Sequence, residues 1–119
     1  MTTEQIANRL VEICRTGDWE KAQNELFSED AVSIEQTASP MFEKETHGLP
    51  ALKEKAAKWN SMVEQVHRIT VSEPLIGINS FAITIRMEIT MKERGAMDIT
   101  EVCVYTIKDG KINSEQFFM

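Results

Sequence analysis

The sequence is poor in cysteine, glycine and proline. It has two Cys, five Gly and three Pro among 119 residues, which excludes collagen-like and proline-rich disordered chains. Cys14 and Cys103 are too few and too far apart for a disulfide framework or a cysteine-based metal site. We therefore expect two reduced, buried thiols in a cytoplasmic protein.

Long apolar runs and positive charge are also scarce. No stretch approaches the roughly 20 apolar residues of a membrane-spanning helix, and Glu4 interrupts the N-terminus where a signal peptide would need an apolar core. Lys and Arg number 13 against 19 Asp and Glu, which leaves a net charge of −6. This balance argues against nucleic acid or an anionic membrane as a partner.

The chain is long enough for one hydrophobic core. With 119 residues, it can bury roughly two-thirds of its unfolded surface. It contains no internal repeat, low-complexity tract or linker. We predict a single domain over residues 1–119.

The first half of the chain has the apolar period of helices. Thr2 and Gln5 form a capping box ahead of an apolar stripe from Ile6 to Cys14. Asp18 is suited to cap a second helix, and Pro50 fits the first turn of a third. Leu49, Leu52, Ala56, Trp59 and Val63 are expected to line the buried side of that third helix.

The second half alternates with a period of two. Ser28 to Asp30 is expected to separate the second helix from a short strand, Ala31–Glu35. Four longer strands follow, joined by short turns that contain Gly or Asn and are typical of antiparallel hairpins: Val66–Leu75, Ser80–Lys92, Met97–Lys108 and Ile112–Met119. The predicted fold class is α+β, with three N-terminal helices packed in the concave face of a curved, mostly antiparallel sheet that forms a cone-like α+β barrel.

Several short segments resemble those of one known superfamily. They are Gly17-Asp18-Trp19, Leu26 to Ala31 and Asp109 to Ile112, together with Gly48 and the closing Glu115 to Phe118. On these segments the chain resembles the nuclear transport factor two-like superfamily, and more narrowly its SnoaL-like branch, over almost its whole length.

The resemblance implies an apolar pocket between sheet and helices, and a homodimer through the outer face of the sheet. Known members include ketosteroid isomerases, polyketide cyclases, scytalone dehydratases and proteins without a catalytic role. A shared fold therefore leaves the function open. Whether this chain is an enzyme is also left open.

Strand alternation predicts acidic groups around that pocket. Glu101 shares a face with apolar residues and Glu115 shares one with Phe117, while Glu35 ends the short first strand. A buried ionised carboxylate must be paired, hydrogen-bonded, hydrated or protonated. We predict Glu35, Glu101 and His67 as catalytic residues. The alternatives are that Glu35 is solvated at the end of its strand, that a single β-bulge turns Glu101 outward, and that His67 is a surface histidine.

Glu35 lies where the resemblance places the general-base Asp of ketosteroid isomerases. The positions of that enzyme's Tyr and protonated Asp correspond to Leu10, whose side chain cannot donate a hydrogen bond, and to Cys103, whose thiol is a weak donor. The resemblance therefore argues against ketosteroid isomerisation itself. Glu101 or Tyr105 is a candidate replacement for the missing donor.

The predicted function is acid–base chemistry without a cofactor on a small, partly apolar molecule, of the isomerase, cyclase or dehydratase type. A non-catalytic binding module and a dimeric interaction protein of the same fold remain alternatives. We predict no metal site, because no spaced ligand motif is present. The predicted pocket residues are Trp59, Tyr105, Glu115, Phe117, Cys103 and Met87.

Overall fold

The computed structural model describes residues 1–119. Three helices are present: α1 (Thr3–Cys14), α2 (Trp19–Leu26) and α3 (Leu49–Met62). None of them has the length and apolarity that crossing a membrane requires. The strands are β1 (Phe27–Ile34), β2 (Glu45–His47), β3 (Val63–Val71), β4 (Leu75–Ile76), β5 (Ser80–Met91), β6 (Gly95–Lys108) and β7 (Lys111–Phe118).

Capping residues and a glycine mark the ends of the first two helices. Thr2 and Gln5 form the predicted reciprocal capping box of α1, which satisfies two of the free N–H groups at the helix start. Gly17 adopts a φ of 76° after α1, a left-handed conformation that glycine reaches without strain. Asp18 then accepts from the Lys21 backbone N–H and caps α2.

The strands form one open, mixed sheet in the order β2-β1-β7-β6-β5-β3, with β4 paired to β5. The β1–β7 pair is parallel and the other pairs are antiparallel. The predicted α+β class, with three helices against a mostly antiparallel sheet, is confirmed. The sheet curves around the helices without closing on itself.

Strand β5 sets the two faces of the sheet. Its odd-numbered residues from Phe81 to Met91 are buried, and its even-numbered residues are partly or fully exposed. The ladder between β5 and β6 runs without a bulge, so the alternation carries over to β6. The core therefore lies between the inner face of the sheet and helices α1 and α2.

Strand β1 begins four residues earlier than predicted. It starts at Phe27, directly after α2, and its pairing with β7 is irregular between Phe27 and Val32. The segment from Ser28 to Asp30 is therefore a bulged part of the strand, where its polar side chains reach solvent.

The predicted strand Val66–Leu75 is also different in the structure. β3 begins at Val63 and ends at Val71, and a separate short strand, β4, follows Pro74. Proline lacks the N–H that a continuous ladder would need. Because Val63 belongs to β3, it is not part of the buried side of α3, and of the five residues predicted there only Leu52 is fully buried.

Candidate active site

A cavity of about 430 Å3 lies between the helices and the inner face of the sheet. Small-molecule sites typically span roughly 300–1,000 Å3, so its size suits a small organic ligand. Of its 25 lining residues, 16 are hydrophobic, which makes the wall largely apolar. The polar exceptions include Gln23, Glu35, Lys55, Arg94, Glu101 and Glu115, and Tyr105, one of the 16, adds a hydroxyl group.

Three carboxylates reach this cavity from three strands. Glu35 directly follows β1, and its backbone N–H donates to the Lys44 carbonyl. Glu101 lies opposite Ile85 in the β5–β6 ladder, and Glu115 lies opposite Tyr105 in the β6–β7 ladder. Cross-strand partners share a face, so Glu101 and Glu115 point to the same side as buried residues.

Lys55 is the functional residue that sequence reasoning missed. Its Nζ lies 2.6 Å from Glu35 Oε2 and 2.8 Å from the Oγ of Ser33, which is fully buried. The Lys55 and Glu35 side chains are only 15% and 26% exposed. Lys55 follows Leu52 by three positions and precedes Trp59 by four, a spacing that puts all three on one helix face. That spacing was the signal available in the sequence.

Two aromatic rings flank the same ammonium group. Lys55 Nζ lies 5.8 Å from the ring centroid of Phe42 and 5.3 Å from that of Phe117. At this range a ring face attracts a cation. The Lys55–Glu35 pair is therefore held between apolar groups rather than in open solvent.

The carboxyl group of Glu101 has an unusual proton affinity. Its pKa is raised to about 7: burial is the largest cause, the negative charge of Glu35 adds to the rise, and the charge of Lys55 opposes it. Desolvation disfavours the charged form of an acid, and so does a nearby like charge. Glu101 can therefore carry a proton at neutral pH and release it.

Glu115 behaves similarly for partly different reasons. Its pKa is also raised to about 7: burial is the largest cause, the neighbouring Ser33 and the charge of Lys55 lower it, and the charges of Glu35 and Glu101 raise it. Ser33, which accepts from the ammonium group of Lys55, lies opposite Glu115 in the β1–β7 pairing. The cavity holds an ion pair and two further carboxyl groups that titrate near neutrality, an arrangement that can both donate and accept protons.

Tyr105 and the two cysteines lie beside these acids in a dry region. Burial is the main cause that raises the pKa of Tyr105 well above its ordinary value, and it raises the pKa of the Cys14 thiol to about 12. Burial also raises the pKa of the Cys103 thiol, so all three groups stay protonated at neutral pH. The Tyr105 ring stacks on Phe81 at a centroid distance of 4.9 Å, which fixes its position in the wall.

The structure places most predicted site residues at the cavity. Cys103 is the exception among the predicted pocket residues, because it is fully buried but does not line the cavity. Its side chain is part of the hydrophobic core. The predicted residues that do line the cavity are Glu35, Trp59, Met87, Glu101, Tyr105, Glu115 and Phe117.

His67 is not brought to the cavity. It is exposed, and its Nε2 lies 2.7 Å from the Oγ1 of Thr90 on the outer face of β5. The β3–β5 pairing has a register irregularity between Val66 and Arg68. Because an irregularity of this kind interrupts strand alternation, the placement of His67 beside the acids was wrong. His47, the other histidine, is also exposed.

The carboxylates do not converge on a single point. No three His, Cys, Asp or Glu side chains come together as a group that can hold a metal ion. The side-chain hydrogen bonds of the cavity acids centre on Lys55, whose ammonium group donates to Glu35 and Ser33.

Comparisons with known proteins agree with this architecture. A family model described as a SnoaL-like domain matches residues 1–119. A candidate SnoaL-like polyketide cyclase from Mesorhizobium loti is 32% identical, with a TM-score of 0.91 and full coverage of both chains. No curated protein matches the chain.

More distant structures share the fold. TerC, crystallised with polyporic acid, has a TM-score of 0.76 at 15% identity and covers 97% of this chain and 88% of its own. A ketosteroid isomerase-like protein from Catenulispora acidiphila, in complex with trimethylamine, has a TM-score of 0.72 at 13% identity and covers 92% and 84%. On the full-length family match and the Mesorhizobium loti structure, the chain belongs to the SnoaL-like domain family.

Proposed function

We propose that this protein is an enzyme that moves protons on a small, partly apolar carbonyl compound without a cofactor, in a reaction of the isomerase, cyclase or dehydratase type. The observation that carries the proposal is that one apolar cavity holds both an ionised carboxylate and a carboxyl group that keeps its proton near neutral pH. Glu35 is the carboxylate of an ion pair, and Glu101 has a pKa of about 7. Two carboxyl groups with different pKa values, each set by its surroundings, are typical of acid–base sites.

The geometry supports a division of roles. Lys55 binds only Oε2 of Glu35, so Oε1 is free to accept a proton from a carbon next to the substrate carbonyl. Glu101 donates its proton to the carbonyl oxygen in the same step, and the product is the enol. Return of a proton to carbon at another position, with the enol proton going back to Glu101, completes an isomerisation. Glu101 thereby supplies the donor that Leu10 and Cys103 cannot.

Relatives of the same fold support the substrate class. One is a candidate polyketide cyclase, and another was crystallised with polyporic acid. Both point toward organic molecules that carry oxygen groups. The apolar wall of the cavity suits the carbon skeleton of such a molecule, and the carboxyl groups suit its oxygen atoms.

The proposal is tested by proton exchange on a model ketone. We expect the wild-type protein to speed deuterium incorporation next to the carbonyl of 2-tetralone in D2O, followed by NMR. Glu35→Gln and Glu101→Gln should each reduce that rate by roughly 10²–10⁴-fold, the usual contribution of a positioned acid or base. Glu64→Gln, a change of an exposed acid on β3, is the matched control. Wild-type exchange in Glu35→Gln would remove Glu35 from the reaction.

A non-catalytic binding module is the second candidate. The observation in its favour is that an ammonium group, that of Lys55, is already held here by a carboxylate and two aromatic rings. The neighbour from Catenulispora acidiphila was crystallised with trimethylamine. Saturable binding of ketones or amines, with no proton exchange in any of them, would favour this candidate over the enzyme.

We also propose a homodimer through the outer face of the sheet. Val102 is 41% exposed there, opposite Thr84 on one side and Phe118 on the other. An apolar centre with a polar surround is common at protein interfaces. Arg86 and Asp98, joined by two hydrogen bonds of 3.0 and 2.7 Å, form part of that surround.

A further inference from the structure

Gln23 is a buried polar residue that the proposed reaction does not use. It lies on α2, is only 6% exposed, and lines the cavity from the helical side. Its Nε2 donates to the Leu52 carbonyl at 3.3 Å. Its Oε1 is the single buried side-chain polar atom in the chain without a hydrogen-bond partner.

The orientation of this amide is fixed by its neighbour. The Leu52 carbonyl is an acceptor, so the NH2 group of Gln23 must face it. Turning the amide over would place two acceptors together and leave the NH2 group without a partner. Oε1 therefore faces away from Leu52 with nothing to accept from.

A buried hydrogen-bond acceptor without a donor lowers the stability of the fold and is uncommon in proteins. Most buried polar groups in proteins have a partner, and each exception calls for an explanation. Donors and cations do line the cavity, among them the indole N–H of Trp19 and the ammonium group of Lys55, but none of them hydrogen-bonds to Oε1. A neutral ligand group that donates a hydrogen bond is the missing partner.

We propose that Oε1 of Gln23 is a binding subsite for a hydroxyl or N–H group of the ligand. The inference rests on the proposed function only for the placement of the other end of the ligand, whose carbonyl oxygen goes to Glu101. The ligand then contacts two walls of one cavity, a carboxyl group on the sheet and an amide oxygen on α2. A ligand with an ether or a bare carbon at the second position leaves Oε1 unpaired, so the subsite confers specificity.

The test uses three ligands of the same skeleton: 6-hydroxy-2-acetonaphthone, 6-methoxy-2-acetonaphthone and 2-acetonaphthone. Dissociation constants are measured by isothermal titration calorimetry with the wild-type protein and with Gln23→Met, which keeps the side-chain length. We expect the wild type to bind the hydroxy compound roughly 3- to 10-fold more tightly than the methoxy compound, the range of one neutral hydrogen bond. In Gln23→Met that preference should fall to about onefold.

The comparison isolates Gln23 from the carboxylates, which can also accept from a hydroxyl group. Gln65→Met, a change on β3 where the residue is exposed, should keep the full preference. Equal preference in wild type and Gln23→Met overturns the subsite, as does a wild type that does not distinguish the three ligands. A water molecule bound permanently to Oε1 would give this second result.

A second measurement tests the proposal even if the Gln23→Met variant does not fold. In the wild-type protein, the side-chain amide resonances of Gln23 should shift on addition of the hydroxy compound and stay in place with 2-acetonaphthone. Unchanged resonances with both compounds overturn the proposal. Absence of ketone exchange with an intact Gln23 effect would contradict the proposed function alone, and the reverse result would contradict the subsite alone.

Discussion

Lys55 determines how the acids of the cavity share protons. It is the one cation in contact with Glu35, and its charge lowers the pKa of both Glu101 and Glu115. Against that effect, burial raises both values to about 7. The raised pKa values in this cavity thus result mainly from the removal of water, and the neighbouring charges change them by a smaller amount.

Replacing Glu101 should make the protein more stable in alkaline solution. Its carboxyl group has a pKa of about 7 in the folded protein and an ordinary value of 4.5. Between these values the unfolded chain has released the proton and the folded chain has kept it, so stability falls as pH rises. We expect Glu101→Gln to raise the free energy of unfolding by about 3 kcal/mol at pH 8, and by almost nothing at pH 4.

Urea denaturation at several pH values between 4 and 8 measures this difference. Glu64→Gln, on the exposed side of β3, should track the wild type across the same range. A pH-independent difference between Glu101→Gln and the wild type would show that the Glu101 carboxyl has no raised pKa in the folded protein.

At the residue scale, sequence reasoning succeeded where alternation was continuous. Glu101 follows the parity of a ladder without bulges, so its inward direction could be predicted from spacing alone. His67 lies at a register irregularity, which no count of positions can reveal. Lys55 was missed because a lysine on a helix is normally solvated, and its buried partner Ser33 is distant in sequence.

Glycines at two element boundaries offer a test of how the elements are joined. Gly17 and Gly95 both have a φ of 76°, where any other residue is strained. A Cβ at Gly17 would lie 3.0 Å from Ile69 Cδ1, whereas one at Gly95 would meet nothing within 4 Å. Gly95→Ala therefore carries only the backbone cost, about 1 kcal/mol, and Gly17→Ala carries a contact cost as well.

We expect Gly17→Ala to lower the unfolding midpoint more than Gly95→Ala does, measured by thermal denaturation under identical conditions. The two substitutions are matched in chemistry and in φ. Equal losses in both variants would mean that the side chain of Ile69 moves aside without cost, and that the end of α1 is not packed tightly against β3.

At the element scale, local signals placed most boundaries within a few residues. The capping box, the left-handed glycine and the Gly-containing turns are short-range features, and the period of two in β5 is unbroken. The parallel pairing of β1 with β7 has no such signal, because it joins segments from opposite halves of the chain. Periodicity identifies a strand but not its partner.

The whole molecule is expected to associate through the outer face of its sheet. Val102 occupies the centre of that face between Thr84 and Phe118. Val102→Lys introduces a like charge on both copies at a two-fold interface. We expect the variant to sediment as a monomer in analytical ultracentrifugation at micromolar concentration, where the wild type sediments as a dimer. The fold of each monomer should be almost unaffected, because the side chain is on the surface.

Lys108→Met is the control. It also changes the charge by one unit, but it lies near the hairpin end of the same strand, far from the centre of the proposed interface. It should leave the dimer intact. A wild-type protein that sediments as a monomer at these concentrations would contradict the dimer, and a dimeric Val102→Lys variant would place the interface elsewhere.

The parallel β1–β7 pair also bears on how the protein acquires its cavity. Ser33 pairs with Glu115 across this junction, so about two-thirds of the polypeptide separates two groups that must become neighbours. Contacts of such high sequence separation form late, since the chain entropy of closing a long loop must be offset first. In a refolding time course, the helices and the β5–β6 hairpin should therefore be native before the carboxyl groups gain their shifted proton affinities, and ligand recognition should return with the slowest phase.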